Sequence, residues 1–310
     1  MNSKSLKGSL LLFLTACIWG LAFVSQSKGM ETMQPLTFNG VRTLIGAFAL
    51  LPLMLCRLHG RKKKSFPNKD ASLKVRGRTT LIAGIICGLL YTAASTFQQY
   101  GVVYTTVGKA GFITTLYIIF VPLLGIFLKK KIPRVVGIGA GMAAVGMYFL
   151  CITEGFMITQ GDILVFICAI LFAIHILVID YYAPNIDGVI LSCMQLFICG
   201  IICTIFAFVF EQPSFSQLNA GLVPLLYSGI LSCGVGYTLQ ILGQKNVNPT
   251  VASLILSLES VVAALTGWLA YRSGFLIADQ TLTVRQIWGC VIVFASVIFV
   301  QLPLGKKNKI

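Results

Sequence analysis

The chain has 310 residues, of which 57% are hydrophobic and only 11% charged, with 24 Lys and Arg against 9 Asp and Glu for a net charge of +15. Soluble globular domains carry roughly 25% charged residues, so the composition excludes a soluble fold and predicts an all-α integral membrane protein. Its hydrophobicity is continuous rather than alternating, which selects helices over a barrel, because lipid offers the backbone no hydrogen-bond partner and a helix satisfies its own.

Ten apolar stretches of about 20 residues follow one another, each long enough as a helix to cross a hydrocarbon core of roughly 30 Å. They are 8–28, 35–57, 79–101, 104–128, 133–152, 161–180, 187–210, 220–243, 248–271 and 284–303. The first follows Lys4 and Lys7 but is longer than a signal-peptide core and has no A-x-A-like site after it, so it is predicted to be retained as a helix. A basic loop at 57–78, containing Arg57, the RKKK run at 61–64 and Arg78, separates the second and third stretches, and Lys129, Lys130, Lys131 and Arg134 follow the fourth. With ten spans, 19 of the 24 basic residues fall on one side. The positive-inside bias then places the N and C termini in the cytoplasm of a multi-pass protein of the cell (inner or plasma) membrane. The charge reads as a topology signal, with anionic lipid head groups as partners of loop 57–78 and no nucleic acid. The ten cysteines lie within or at the ends of the stretches, with no C-x-x-C pair and no zinc-like spacing to His59 or His175. They read as small buried hydrophobes, and neither a metal nor a cofactor is expected.

Residues 96–128 align with 238–270 without gaps at an offset of 142, and eight of the 33 pairs are identical, including Gln98/Gln240, Gly101/Gly243 and Gly125/Gly267. The first two stretches match the sixth and seventh at an offset of 153, pairing Phe13 with Phe166, Ala16 with Ala169, Asn39 with Ser192 and Arg42 with Gln195. Gly137 meets Gly289 at an offset of 152 in the fifth and tenth. Five spans per half is an odd number, so the second half must lie upside down relative to the first. The expected fold is ten transmembrane helices in two inverted five-helix repeats, 1–156 and 157–310. Inverted repeats suit transporters, because two pseudo-equivalent halves can exchange which side a central cavity faces.

Four motifs sit on this frame: Trp19-Gly20; P-L-x-F-N-x-x-R from Pro35 to Arg42; A-G-F-I-T-T-L-Y from Ala110 to Tyr117, with Pro122 beyond it; and A-S-L-I-L-S-L-E from Ala252 to Glu259. Together with the five-plus-five arrangement they resemble the EamA-type branch of the drug/metabolite transporter superfamily over nearly the whole chain. The resemblance implies export or exchange of small metabolites, with the site between the halves.

A charge at bilayer depth costs about 2.5 to 3.5 kcal/mol by insertion scales, so an ionisable residue there usually lines a cavity. Glu259 lies at the middle of its stretch and reads either as a proton or cation site or as a packing carboxyl bonded to a nearby Ser or Tyr. Arg42 can bind a substrate carboxylate or phosphate, pair with Glu259, or reach back to the outer surface. Asn39 lies three residues earlier on the same helical face. Tyr91, Ser95 and Gln98 form one stripe, matched by Cys233, Tyr237 and Gln240 in the second half; such groups either grip a ligand or bond to each other. Trp19 at midspan and Tyr117, the repeat partner of Glu259, are candidate cavity walls, and Gln195 is the counterpart of Arg42. Pro122 is expected to kink its helix about one turn beyond Tyr117, where Ala264 leaves the second copy intact, which makes it a gate candidate. His175 and Lys109 read as satisfied or interfacial polar residues.

Intramembrane metalloproteases need H-E-x-x-H-like sets and serine enzymes need a base near the nucleophile; the two histidines supply neither, and no ATP-binding motif is present. The expected function is secondary transport of small metabolites by alternating access, driven by a gradient, with a proton on Glu259 as a further partner. One deep charge of each sign suits an amino-acid-like zwitterion or a neutral polar solute. An uncoupled facilitator or exchanger is the alternative.

Overall fold

The computed structural model describes residues 3–63, 70–128, 134–151, 159–277 and 279–301. Part of the basic loop (64–69), the junction of the two predicted repeats (152–158) and both chain ends lie outside the described residues. Each predicted stretch contains helix over its described residues: α1 (Ser3–Gly29), α2 (Pro35–Lys63), α3 (Asp70–Val103), α4 (Val107–Thr114), α5 (Tyr117–Phe127), α6 (Arg134–Cys151), α7 (Gln160–Tyr182), α8 (Gly188–Phe210), the short α9 (Phe215–Ala220) and α10 (Leu222–Leu226), α11 (Tyr237–Gln244), α12 (Pro249–Leu256), α13 (Leu258–Arg272) and α14 (Val284–Gln301). Among the described residues, eight helical stretches are long and apolar enough to cross a membrane, and Arg134–Phe149 and Val284–Val300 are shorter apolar helices.

Local chemistry sets the helix starts. Thr159 and Asp162 close a reciprocal capping box on α7, the Asp187 carboxylate accepts from Val189 N at the start of α8, and Asn248 caps α12 with Pro249 behind it. Pro35 opens α2, where its missing N–H is not needed.

Two predicted spans are interrupted. The fourth divides into α4 and α5 at Thr115 and Leu116, and the ninth into α12 and α13 at Ser257. Thr115 and Ser257 are repeat partners at the offset of 142, and each donates its hydroxyl to the carbonyl three residues back, Phe112 O at 2.8 Å and Leu254 O at 2.7 Å. Hydroxyls that bond back to the backbone compete with the helical ladder, and here they do so at the same place in both copies. Pro122, the gate candidate, lies inside α5, while the interruption precedes Tyr117 and recurs in the second copy. The carbonyl that Pro122 leaves without its ladder donor belongs to Ile118, in the first turn of α5. There the ladder is already tightened, with Ile118 N on Thr115 O and Ile119 N on Leu116 O, both at 2.9 Å. The copies do differ in the eighth span, where Tyr227–Gly236 between α10 and α11 is a π-helix while its counterpart, 85–94, is regular α3. π-helical turns inside helices recur at functional sites.

The halves pack with matched contacts. Gly101 of α3 meets Gly161 and Val165 of α7, while Gly243 of α11 meets Gly8 and Leu12 of α1. Gly8/Gly161 and Leu12/Val165 are themselves partners at the offset of 153. A Cβ at Gly161 would lie 2.7 Å from Gly101 O, and one at Gly8 would lie 2.8 Å from Gly243 O. Such backbone approach is the use of small residues in membrane packing. Gly161→Val is therefore expected to cost about 1 to 3 kcal/mol by overpacking, read as a lower melting temperature of the purified protein. Gly137→Ala, with nothing within 4 Å of the added carbon, is the silent control. Along the middle of the bundle, repeat partners touch each other directly: Tyr117 bonds to Glu259 at 2.9 Å, and the Tyr91 hydroxyl lies 3.5 Å from Cys233 Sγ, each pair 142 residues apart.

Candidate functional site

The interruptions in the fourth and ninth spans place Tyr117 at the start of α5 and Glu259 in the first turn of α13, facing each other across the bundle. A half-helix N-terminus favours a carboxylate through its unpaired N–H groups and dipole. Around this pair lies a central cavity. Trp19, Arg42, Tyr91, Gln98, Tyr117, Tyr237, Gln240 and Glu259 all line it, so eight of the ten predicted binding residues converge on one space. Apart from Trp19, none of the lining residues is more than 7% exposed.

Arg42 is 3% exposed and does not reach the surface. Its Nε and Nη2 donate to Asn39 Oδ1 at 3.0 and 2.9 Å, and its guanidinium lies 5.5 Å from the Phe38 ring centroid. Asn39 Nδ2 in turn donates to Ser95 Oγ at 2.9 Å. Asn39 therefore stands behind Arg42 and orients it, away from the chamber lining. Arg42 and Glu259 share the chamber without an ion pair, one committed to Asn39 and the other to the Tyr117 hydroxyl.

Gln195, the counterpart of Arg42, lies off the chamber, with its Oε1 3.0 Å from His175 Nε2. The His175 ring packs 6.1 Å from Tyr91 and 6.3 Å from Tyr237, behind that part of the chamber wall. Tyr91 and Tyr237 meet edge to face at 4.6 Å, and Trp19 packs 4.7 Å from Tyr237 with its Nε1 on Ser232 O at 3.2 Å. Gln98 and Gln240, equivalent in the repeat, differ in use. Gln98 Nε2 donates to Thr114 Oγ1 at 3.2 Å, whereas Gln240 Oε1 has no partner.

Sequence reasoning missed Gln26, Thr114, Ser232, Phe23 and Phe172 in the lining. Gln26 had a signal: it stands seven residues after Trp19, on the same helical face. It is 4% exposed, and its Oε1 has no partner. A buried acceptor without a donor marks either a bound molecule or a cost, and the chamber holds two, on Gln26 and Gln240. Among the described residues no group of His, Cys, Asp or Glu could hold a metal ion.

Comparison with known proteins gives a consistent result. The sequence profile of the EamA-like transporter family matches twice, over residues 6–152 and 159–302. An uncharacterized transporter of Archaeoglobus fulgidus is 31% identical over 96% of this chain and 87% of its own length. The uncharacterized transporter YoaV of Bacillus subtilis is 24% identical over 94% of this chain and 95% of its own. A solved crystal structure shares the fold at a TM-score of 0.69 and 17% identity, covering 95% of this chain and 98% of that one.

Proposed function

The chain belongs to the EamA-like transporter family, and is a multi-pass membrane transporter rather than an enzyme; from that premise we propose that it is a secondary transporter exporting amino-acid-like zwitterionic or neutral polar metabolites. The two repeats, 1–156 and 157–310, form ten spans of opposite orientation with cytoplasmic termini in the cell membrane, and rock about the central chamber by alternating access. One observation carries the substrate reading: a buried guanidinium and a buried carboxyl line the same space without pairing to each other. A zwitterion fits between them, its carboxylate on Arg42 and its ammonium on the free oxygens of Gln26 and Gln240, which leaves the Glu259 carboxyl to the proton. Desolvated charges need such partners. The rings of Trp19, Tyr91, Tyr117 and Tyr237 wall the apolar body of the ligand. A polyanion would find one cation against one carboxyl and is disfavoured. Glu259 is the proton site that couples transport to a pH gradient, and the uncoupled carrier is the alternative that its substitution tests.

The substrate reading is tested by thermal stabilisation of the purified protein with a panel of amino acids, their amides, and sugar phosphates. A ligand at 100 times its Kd stabilises the folded state by about 2.7 kcal/mol. Amino acids are expected to raise the melting temperature and sugar phosphates to leave it unchanged. The reverse order would sink the zwitterion assignment.

A further inference from the structure

We propose that the eighth span carries one residue more than the third, that the π-helix Tyr227–Gly236 stores this surplus, and that Trp19 is the positioning residue that holds it where Ser232, rather than Cys233, faces the chamber. A hydroxyl rather than a thiol then meets the cargo. That last step rests on the transport reading above; the register does not.

The surplus is visible in how the two copies pack. From Thr96 and Thr238 onwards they match at an offset of 142, and Gly101 on Val165 corresponds to Gly243 on Leu12. Before that point the offset is 141. A Cβ at Gly88 would lie 2.7 Å from Ile198 Cβ, and one at Gly229 would lie 2.8 Å from Ile45 Cβ; Ile45 and Ile198 are themselves partners at the offset of 153. Burial keeps the same step. Cys87, Gly88 and Tyr91 are buried and Ile85 and Leu89 exposed, and 141 residues on Ser228, Gly229 and Ser232 are buried and Leu226 and Ile230 exposed. Four residues, 92–95, therefore connect Tyr91 to Thr96, and five, 233–237, connect Ser232 to Thr238. A π-helix bonds residues five apart instead of four and so takes up the fifth. Tyr91 and Ser232 both line the chamber, whereas Cys233 lies against α2, where a Cβ on Gly46 would meet its Cβ at 2.8 Å.

Three side-chain donors tie this turn to α1. Trp19 Nε1 donates to Ser232 O at 3.2 Å, and the Tyr227 hydroxyl donates to Ile18 O at 3.1 Å. The Thr15 hydroxyl, bonded to Leu11 O at 2.9 Å, also reaches Gly236 O at 3.4 Å. The indole rests on Gly236, where an added Cβ would lie 2.6 Å from Trp19 Nε1. At the same places in the other copy stand Phe172 and Ile86, which have no side-chain donor, Cys168, whose thiol is a weak one, and Ala94; α3 is regular there. Of the three donors, Trp19 holds the residue that lines the chamber. If the turn slides towards Tyr227, the offset of 142 begins earlier, and Cys233 takes the place that Tyr91 has in the first copy.

Deleting Val235, which is 36% exposed, removes the surplus, so the protein is expected to fold with a melting temperature within about 4 °C of the parent. Deleting Ala93 from α3, which has no surplus, turns the preceding helix by about 100° and should abolish folding. The full chain in lipid nanodiscs is then alkylated with N-ethylmaleimide and the modified residues are located by mass spectrometry. No cargo is present, so a failed ligand panel leaves this result standing. Trp19→Phe is expected to speed modification of Cys233 about fivefold, the weight of one ordinary hydrogen bond, and to slow that of the thiol introduced by Ser232→Cys in a Cys233→Ser chain. With Val235 also deleted, Trp19→Phe should no longer affect Cys233. Deletion of Val235 tolerated no better than deletion of Ala93, a Cys233 rate that Trp19→Phe leaves unchanged in the full chain, or an effect of Trp19→Phe that survives the deletion overturns the proposal.

Discussion

Reconstituted protein carrying Glu259→Gln is expected to lose solute accumulation driven by a pH gradient while keeping downhill exchange of the same solute within about threefold of the parent. The substitution retains an oxygen that can accept from the Tyr117 hydroxyl, which lies 2.9 Å from Glu259 Oε1, and removes only the capacity to take up and release a proton. Coupled one to one, a gradient of one pH unit supports about tenfold accumulation, because each tenfold concentration ratio corresponds to about 1.4 kcal/mol. The variant should accumulate nothing beyond equilibration. If gradient-driven uptake and exchange both match the parent, Glu259 is not the coupling group and the uncoupled carrier stands.

Arg42→Ala is expected to weaken binding of a zwitterionic ligand by about 2 kcal/mol or more, at least thirtyfold in Kd, since truncating one partner of a buried charge pair costs about 2 to 5 kcal/mol. It also strands Asn39 Oδ1, which accepts from Arg42 Nε and Nη2. Arg42→Lys keeps the charge but loses that two-pronged contact, so an intermediate loss is expected. The amide of the same amino acid, which has no carboxylate, should lose much less than the amino acid itself on Arg42→Ala. Calorimetric titration with the most stabilising member of the panel checks this. Equal losses for acid and amide would assign Arg42 to packing instead.

The helical stretches were legible because span length and apolarity are properties of composition along the chain, and the equivalence of Gly101 and Gly243 because the halves recur at a constant offset; what these glycines touch was not. Tyr117 and Glu259 could be paired as repeat partners before any coordinates, but alignment says only that two positions are equivalent, not that they touch. The interruptions at Thr115 and Ser257 were not legible. A hydroxyl in an apolar helix commonly back-bonds without breaking the ladder, whereas proline is the stronger local signal and drew the expectation to Pro122. Asn39 shared a helical face with Arg42, yet the face alone does not distinguish a residue that meets the ligand from one that holds its neighbour. Gln26 was passed over because a single amide in an apolar helix is as readily a packing residue.

By itself, then, the sequence determined the membrane environment, the helical class and the duplicated plan, all of which follow from transfer energies and periodic spacing summed over many residues. Only the tertiary structure decided how the few buried polar groups are used: Arg42 on Asn39, Glu259 on Tyr117, Gln195 on His175, Lys109 on Asp162. Apart from Arg42 on Asn39, each of these pairs joins separate helices, over as many as 142 residues. A hydrogen bond exists only within about 3 Å and a narrow angle, a condition that depends on how helices cross.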